Sequence, residues 1–371
     1  MRGVKSTGGL AIRALAVAQP PARHATLPAA IAVIAALVIL LVTASVHAAQ
    51  PRIKLATLAP KGTSFHQVLL QMGEKWRTAP GGGATLIVYT DGAMGGEADM
   101  VRRMRIGQIH AAMLTVTGLC EIDDSVAALQ NIPMVFRSLD ELSYVREKLM
   151  PRFEQRFREK GFIILCSGDA GWVYFFSRQP GLYPDDFRKM KIFTWAGDPT
   201  SADLWRAAGF QPVMLEITDS LTALQTGLID AVAAAPTYAL AGQFYVPAPN
   251  MLDMPWAPLV GATVITEKSW RQFSPETQQA LMESAREAGE LIQQRSRAES
   301  LEAIEAMKKR GLKVHKVTPE IEKVWRDTCE AFYPRIRGSI VPADMYDEVQ
   351  RLLAEYRSRQ PAAGGSPAAR D

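Results

Sequence analysis

The sequence predicts an α/β fold arranged as two lobes of like design, and three observations predict it. Strand and helix patterns alternate through the first and middle parts of the chain, which implies a mostly parallel sheet. A short motif recurs: Arg105-Ile106-Gly107-Gln108-Ile109-His110-Ala111 is matched by Gln225-Thr226-Gly227-Leu228-Ile229-Asp230-Ala231, with the two glycines 120 positions apart. Both copies read as a helix end, a glycine and a strand, and Gly suits the left-handed position that closes a helix. A helical run over 275–309 would be roughly 50 Å long, longer than one small lobe, and so would brace both.

The first 48 residues differ from the rest. They hold Arg2, Lys5, Arg13 and Arg23 and no acidic residue, then an uncharged apolar run over 29–46, then Val46-His47-Ala48. A positive start, an apolar stretch and a small-x-small site make a secretory signal peptide over 1–48, with cleavage expected after Ala48. The alternative is an uncleaved signal anchor, since the run of 18 residues is just long enough to span a bilayer. The whole chain carries 42 basic and 38 acidic side chains; without the leader's four basic ones it is formally neutral. The sequence pI near 8.9 therefore belongs to the leader. It argues for no nucleic-acid partner, and no basic run interleaved with aromatics supports one.

After the leader, 53–58 reads as a strand, and Pro60-Lys61-Gly62-Thr63-Ser64 as a turn that caps a helix over 65–78 with Val68, Leu69, Met72 and Trp76 on one side. Gly81-Gly82-Gly83 ends it. A strand over 84–90, a glycine-rich turn over 91–96, a helix over 97–106 and a strand over 109–115 follow. In the middle, 161–167 and 172–177 (WVYFFS) read as two strands. The stretch KIFTWAGDP, 191–199, is a strand, a turn and a helix start. Lys191, Phe193 and Trp195 share one face, Ile192 and Thr194 the other. Asp198 is a good N-cap, and Pro199 fits the first helical position, where its missing N–H is not needed. This helix runs to Ala208 and stops at Gly209; a strand over 210–215, a helix capped by Thr218 or Asp219 through Leu224, and a strand over 228–233 complete the block. Ser274 caps the long helix, whose stripe is Leu281, Ala285, Ala288 and Ile292, continued by Leu301 and Ile304, with a bend expected at Gly289. Two more helices are expected over 319–332 and 342–357, and 360–371 reads as a disordered tail.

Catalytic signatures are absent: there is no GxSxG, HExxH, P-loop or paired Cys/His spacing. Cys120, Cys166 and Cys329 are far apart and odd in number, so they read as free thiols and not as a framework. Beyond the leader there are three histidines. His110 lies in a predicted strand and is expected in the core, and His315 is expected at the surface near the C-terminal helices. His66 follows Thr63-Ser64 at a helix start, where it either faces a cleft or serves the cap. A two-lobed, exported α/β chain without catalytic motifs points to ligand capture between lobes, with no cofactor and no metal.

Several stretches together carry a family resemblance: LAPKGTSFH, GAMGGEADMVRRMRIGQIHAAML, NIPMVFRSLDEL, PDDFRKMKI followed by GFQPV, ALQTGLIDA, and WAPLVGATVITEKSW before the long helix. Over about 53–356 the chain resembles the periplasmic solute-binding subunits of TRAP transporters, the DctP type. The resemblance implies a periplasmic binding protein fold, with crossing strands and a hinge-spanning helix. It implies lobe I over 51–170 plus 260–300 and lobe II over 171–259 plus 301–358. It implies closure on an organic acid, a membrane permease as partner, and no enzymatic activity. A sensor subunit that presents its ligand to a membrane receptor is the alternative, and an exported enzyme a further one.

Three departures from the family bear on the ligand. Where most relatives read Lys-Ile-Arg, with the arginine clamping a carboxylate, this chain has Phe193. Trp172-Val173 stands where a second basic contact is common, and Ala235-Pro236 where Asn-Pro is common. A carboxylate entering such a pocket loses hydration without a charged partner, at several kcal/mol. A simple dicarboxylate is therefore not expected. Three readings remain. A larger apolar or aromatic ligand would stack on Trp172, Phe193, Trp195, Tyr238 and Trp256. An anion would sit at the helix start, near Lys191 but against Asp198. A cation would use Asp169 or Asp198 as counter-ion, with cation–π contacts. With His66, these are the expected ligand residues.

Overall fold

The computed structural model describes residues 50–359. The leader and tail readings fall outside those residues.

The opening elements are β1 (Arg52–Thr57), α1 (Ser64–Arg77), β2 (Thr85–Tyr89), α2 (Glu97–Arg105) and β3 (Ala111–Thr115). Then come α3 (Val116–Cys120), α4 (Leu139–Glu159) and β4 (Phe162–Ser177). The middle holds α5 (Pro184–Arg188), β5 (Lys191–Trp195), α6 (Pro199–Ala207), β6 (Gln211–Leu215), α7 (Ser220–Thr226), β7 (Ala231–Ala234) and α8 (Pro236–Ala241). β8 (Asn250–Asp253), β9 (Ala257–Thr266), α9 (Glu267–Trp270) and α10 (Pro275–Lys308) follow. The last elements are β10 (Lys313–Lys316), α11 (Pro319–Glu330), α12 (Tyr333–Ile336) and α13 (Ala343–Arg359).

The strands lie in the order β2-β1-β3-β9-β4-β7-β5-β6, with β8 joined to β4 and β10 to β8. β1 is parallel to β2 and β3, and β5 is parallel to β6 and β7. Between these two parallel groups run β9 and β4, antiparallel to their neighbours. They are the crossing strands of a two-lobed fold. The first part of β4 pairs with β9, and Tyr174–Ser177 pair with β7.

β4 corrects the sequence reading of two strands over 161–167 and 172–177. It is one strand of 16 residues. The glycines bend it without ending it: register shifts between Asp169 and Trp172, where Gly171 takes φ +80, a conformation that costs glycine little. The recurrent helix–glycine motif keeps its geometry in both copies, with Gly107 at φ 74 and Gly227 at φ 75.

α10 runs 34 residues, about 50 Å, from the cap in which Ser274 Oγ accepts the Thr277 N–H. It continues as helix through Gly289. That glycine serves packing, because a Cβ there would lie 2.7 Å from the Cβ of Cys166 on β4. Leu281, Ala285 and Ala288 face one core, shared with α1, where Trp76 Nε1 donates to the Leu281 carbonyl at 3.2 Å. Beyond, the expected stripe is corrected: Leu301 is 54% exposed, and Ala303 and Met307 take the inner face. α4 has no counterpart among the expected elements. Pro151 interrupts its sequence pattern, yet Ser138 caps it and Leu142, Val145, Leu149, Phe153 and Phe157 bury one face.

His315 is corrected from the surface near the C-terminal helices to β10, half-buried, with Nε2 2.9 Å from Asn250 Oδ1. His110 lies just before β3 and is half-buried, where its Nδ1 accepts the Lys54 N–H. The three cysteines are unpaired. Among the described residues, no helix is long and apolar enough to cross a membrane.

Candidate functional site

A cavity of about 630 Å³ lies against the bend of β4. Its wall takes residues from both parallel groups: Thr57 to Pro60 at and beyond the end of β1, Met113 to Thr115 of β3, Phe193 to Trp195 of β5, and Ala233 to Ala235 at the end of β7. Carboxyl ends of parallel strands converge here, as open α/β sheets require of a ligand crevice. β9 and the α10 residues Gly289 to Ala306 close the remaining sides.

Of the residues expected to bind ligand, Asp169, Phe193, Trp195, Asp198, Tyr238 and Trp256 line this cavity. Phe193 is 4% exposed and meets Trp195 edge to face, with ring centroids 5.5 Å apart. Strand alternation alone would separate Thr194 from both, yet the strand end lets all three border the cavity. Asp198 caps α6, accepting the Ser201 N–H at 2.9 Å. Trp256 stacks into an aromatic group with Trp205 at 5.4 Å and Phe175 at 5.1 Å. Tyr238, on α8, has its phenol pushed up to about 12 by burial, aided by the charges of Asp91 and Glu97.

Asp169 is fully engaged. Arg297 grips it through Nε at 3.0 Å and Nη2 at 2.7 Å, Arg146 Nη1 reaches it at 3.3 Å, and the Gly171 N–H donates at 3.1 Å. Arg146 also donates to Gln293 on α10. The network ties α4, the β4 bend and α10 together. Burial lowers the Arg146 guanidinium, which the Asp169 charge opposes.

Two expected residues sit elsewhere. His66 does not border the cavity: its Nδ1 accepts the Gly62 N–H at 3.1 Å, the cap-serving alternative, while its neighbours Thr63, Ser64 and Phe65 line the wall. Trp172 is half-buried outside the wall, because the cavity touches its strand neighbour Val173.

Sequence reasoning missed Glu97, Trp205, Glu299 and Glu302, all in the wall. Glu97 is 4% exposed. Its carboxyl accepts the Thr115 N–H at 2.7 Å, the Thr115 hydroxyl at 2.6 Å and the Gly118 N–H at 2.8 Å. Burial pushes it above the ordinary carboxyl range, against those bonds, and Glu216 pushes the same way. Its place as the first residue of a helix after Gly96 was legible, but not the partners 18 and 21 positions away. Among the described residues that border the cavity there is no lysine, arginine or histidine.

The family model of the bacterial extracellular solute-binding protein family 7, DctP, matches residues 55–338. The chain belongs to the DctP family. Among curated DctP-like relatives, a solute-binding protein of Roseobacter denitrificans is 26% identical over 261 residues, 67% of this chain and 77% of that protein. The 2,3-diketo-L-gulonate-binding periplasmic protein YiaO of Escherichia coli is 25% identical over 233 residues, 62% of this chain and 70% of its own. A TRAP periplasmic solute-binding protein from Sulfurospirillum deleyianum, solved with bound succinate, superposes with TM-score 0.75 at 20% identity, covering 82% of this chain and 99% of its own. DctP7 of Bordetella pertussis, which binds pyroglutamic acid, gives TM-score 0.74 at 16% identity, covering 82% and 99%. At these identities the solved structures establish the two-lobed DctP fold. This chain is thus an extracellular solute-binding protein of the DctP family.

Proposed function

We propose that this DctP protein captures a small organic solute in the cavity at the β4 bend and hands it to TRAP-type membrane permease subunits. In this reading it works in the periplasm, exported by a signal peptide cleaved after Ala48. Lobe I comprises 51–170 plus 260–300 and lobe II 171–259 plus 301–358. They close on the solute about β4, β9 and α10, and the chain catalyses no reaction on it. The split of β4 between two strand groups supports those boundaries.

The solute is not a simple dicarboxylate. The observation that carries this is the wall: among the described residues it has four carboxylates without an ion pair, Glu97, Asp198, Glu299 and Glu302, and no basic side chain, while Asp169 is already held by Arg146 and Arg297. A diacid would leave water for a site without a charged partner and with like charges, at several kcal/mol per carboxylate. Phe193 and Trp195 offer apolar surface in place of a clamp. Calorimetry with succinate and malate tests the reading. Binding too weak to detect is expected, and submicromolar binding of either would overturn it. The sensor alternative separates from this one genetically: deletion of the permease subunits should abolish uptake of the solute, whereas a sensor would leave uptake unchanged.

A further inference from the structure

We infer that the solute carries an ammonium group on an apolar body, and that Glu97 and Glu302 read that charge. This rests on the capture reading and names the class of solute for the same cavity.

Three observations lead to it. The first is how the wall's carboxylates are spent. Asp169 is paired with both Arg146 and Arg297, a cluster of net positive charge, and has no negative charge to offer. Glu97, Asp198, Glu299 and Glu302 face the cavity with no ion pair to any described lysine, arginine or histidine. Glu299 takes the Ser64 hydroxyl at 2.7 Å, and Asp198 its cap bond; both keep further acceptor sites. Glu97 uses three of about four lone-pair sites on groups of the protein and leaves one on Oε1. All the groups that hold it are donors, and two of them, the Thr115 and Gly118 N–H, can only donate, so the bonds favour a carboxylate while burial opposes it, and a cation in the cavity would tip the balance toward the charged form. The local field therefore favours a cation over a neutral solute and a neutral solute over an anion.

The second is the aromatic surface. Trp195, Trp205, Trp256, Tyr238 and Phe193 border the same space. Ring faces attract an ammonium group and also bury an apolar body. Carboxylate and aromatic surface together make an environment in which an ammonium leaves water at least cost. The third is Thr194, in the same wall and 7% exposed, whose hydroxyl has no hydrogen-bond partner among the described residues. A buried polar group without a partner is costly until a bound molecule supplies one.

The experiment uses solutes of one body and three heads: 2-phenylethylamine, 2-phenylethanol and 3-phenylpropanoate, then tryptamine with the matching indole alcohol and acid. Binding to the mature protein is followed by calorimetry and by fluorescence of the wall tryptophans. At least one amine should bind roughly tenfold or more tightly than its acid. Glu97→Gln should weaken that amine roughly tenfold more than it weakens the alcohol. Glu302→Gln, on an exposed helix position, repeats the test without touching a buried carboxyl. An acid that binds as tightly as its amine, or a panel in which no amine binds, overturns the ammonium assignment and leaves the capture reading standing. The capture reading fails separately, if no fraction of a periplasmic extract raises the protein's melting temperature.

Discussion

Replacing Asp169 by asparagine separates two roles that one carboxylate could play in this cavity wall. Its side chain is wholly inaccessible, and Arg297 and Arg146 both converge on it. Arg146 is 13% and Arg297 27% exposed at the side chain, so neither charge is well served by water. The substituted amide keeps an acceptor for the Gly171 N–H but removes the negative charge, leaving two guanidinium groups facing each other. Taking one partner from a buried ion pair costs about 3–5 kcal/mol. For a chain of this size, about 2 °C of melting temperature follows each kcal/mol, so the loss should be about 6–10 °C. Thermal unfolding followed by circular dichroism measures it. Asp198→Asn is the companion: it keeps the cap acceptor on α6 and should shift melting by less than about 1 °C. A fall below about 2 °C in Asp169→Asn would sink this assignment, because the carboxylate would then not be holding the two arginines and would be free for the solute.

Other perturbations probe the clamp position, the long helix and the buried acid. Phe193→Arg puts a guanidinium where the family resemblance implies one, and should raise succinate affinity at least tenfold by calorimetry; no gain would show that more than the missing arginine excludes diacids. Gly289→Ala should gain about 1 kcal/mol from helix propensity but lose more, because its Cβ would meet Cys166 at 2.7 Å; a melting temperature equal to or above the parent's would contradict the close approach. Glu97 is raised above its ordinary 4.5, first by burial. A raised acid contributes stability that is complete below the ordinary value and is lost as pH rises through the folded one. The parent should therefore lose melting temperature relative to Glu97→Gln as pH rises from 4.5, and a difference independent of pH would contradict the raised carboxyl.

What the sequence made legible was local. The cap and proline at Asp198-Pro199, the inner face of α1 through Trp76, and the paired Gly107 and Gly227 turns each depend on residues within a few positions, and each forms as read. The strand at 191–195 was placed within a residue for the same reason. What escaped depends on distance along the chain. Arg297 lies 128 positions from Asp169, so nothing in GDAGW announces that its aspartate is already paired. Glu97 reads as an ordinary first-turn acid until Thr115 and Gly118 come round to hold it in the wall. Trp172 was assigned by the family resemblance and not by its strand face; beside the bulge between Asp169 and Trp172, it is Val173 that borders the cavity.

The decisive measurement is native mass spectrometry of the mature protein, isolated from the periplasm of cells that make it. A one-to-one complex that releases a small organic amine with an apolar body is the expected result. A released succinate, malate or other simple dicarboxylate, bound one to one in the cavity, would contradict both the charge of the wall and the class of solute assigned to it.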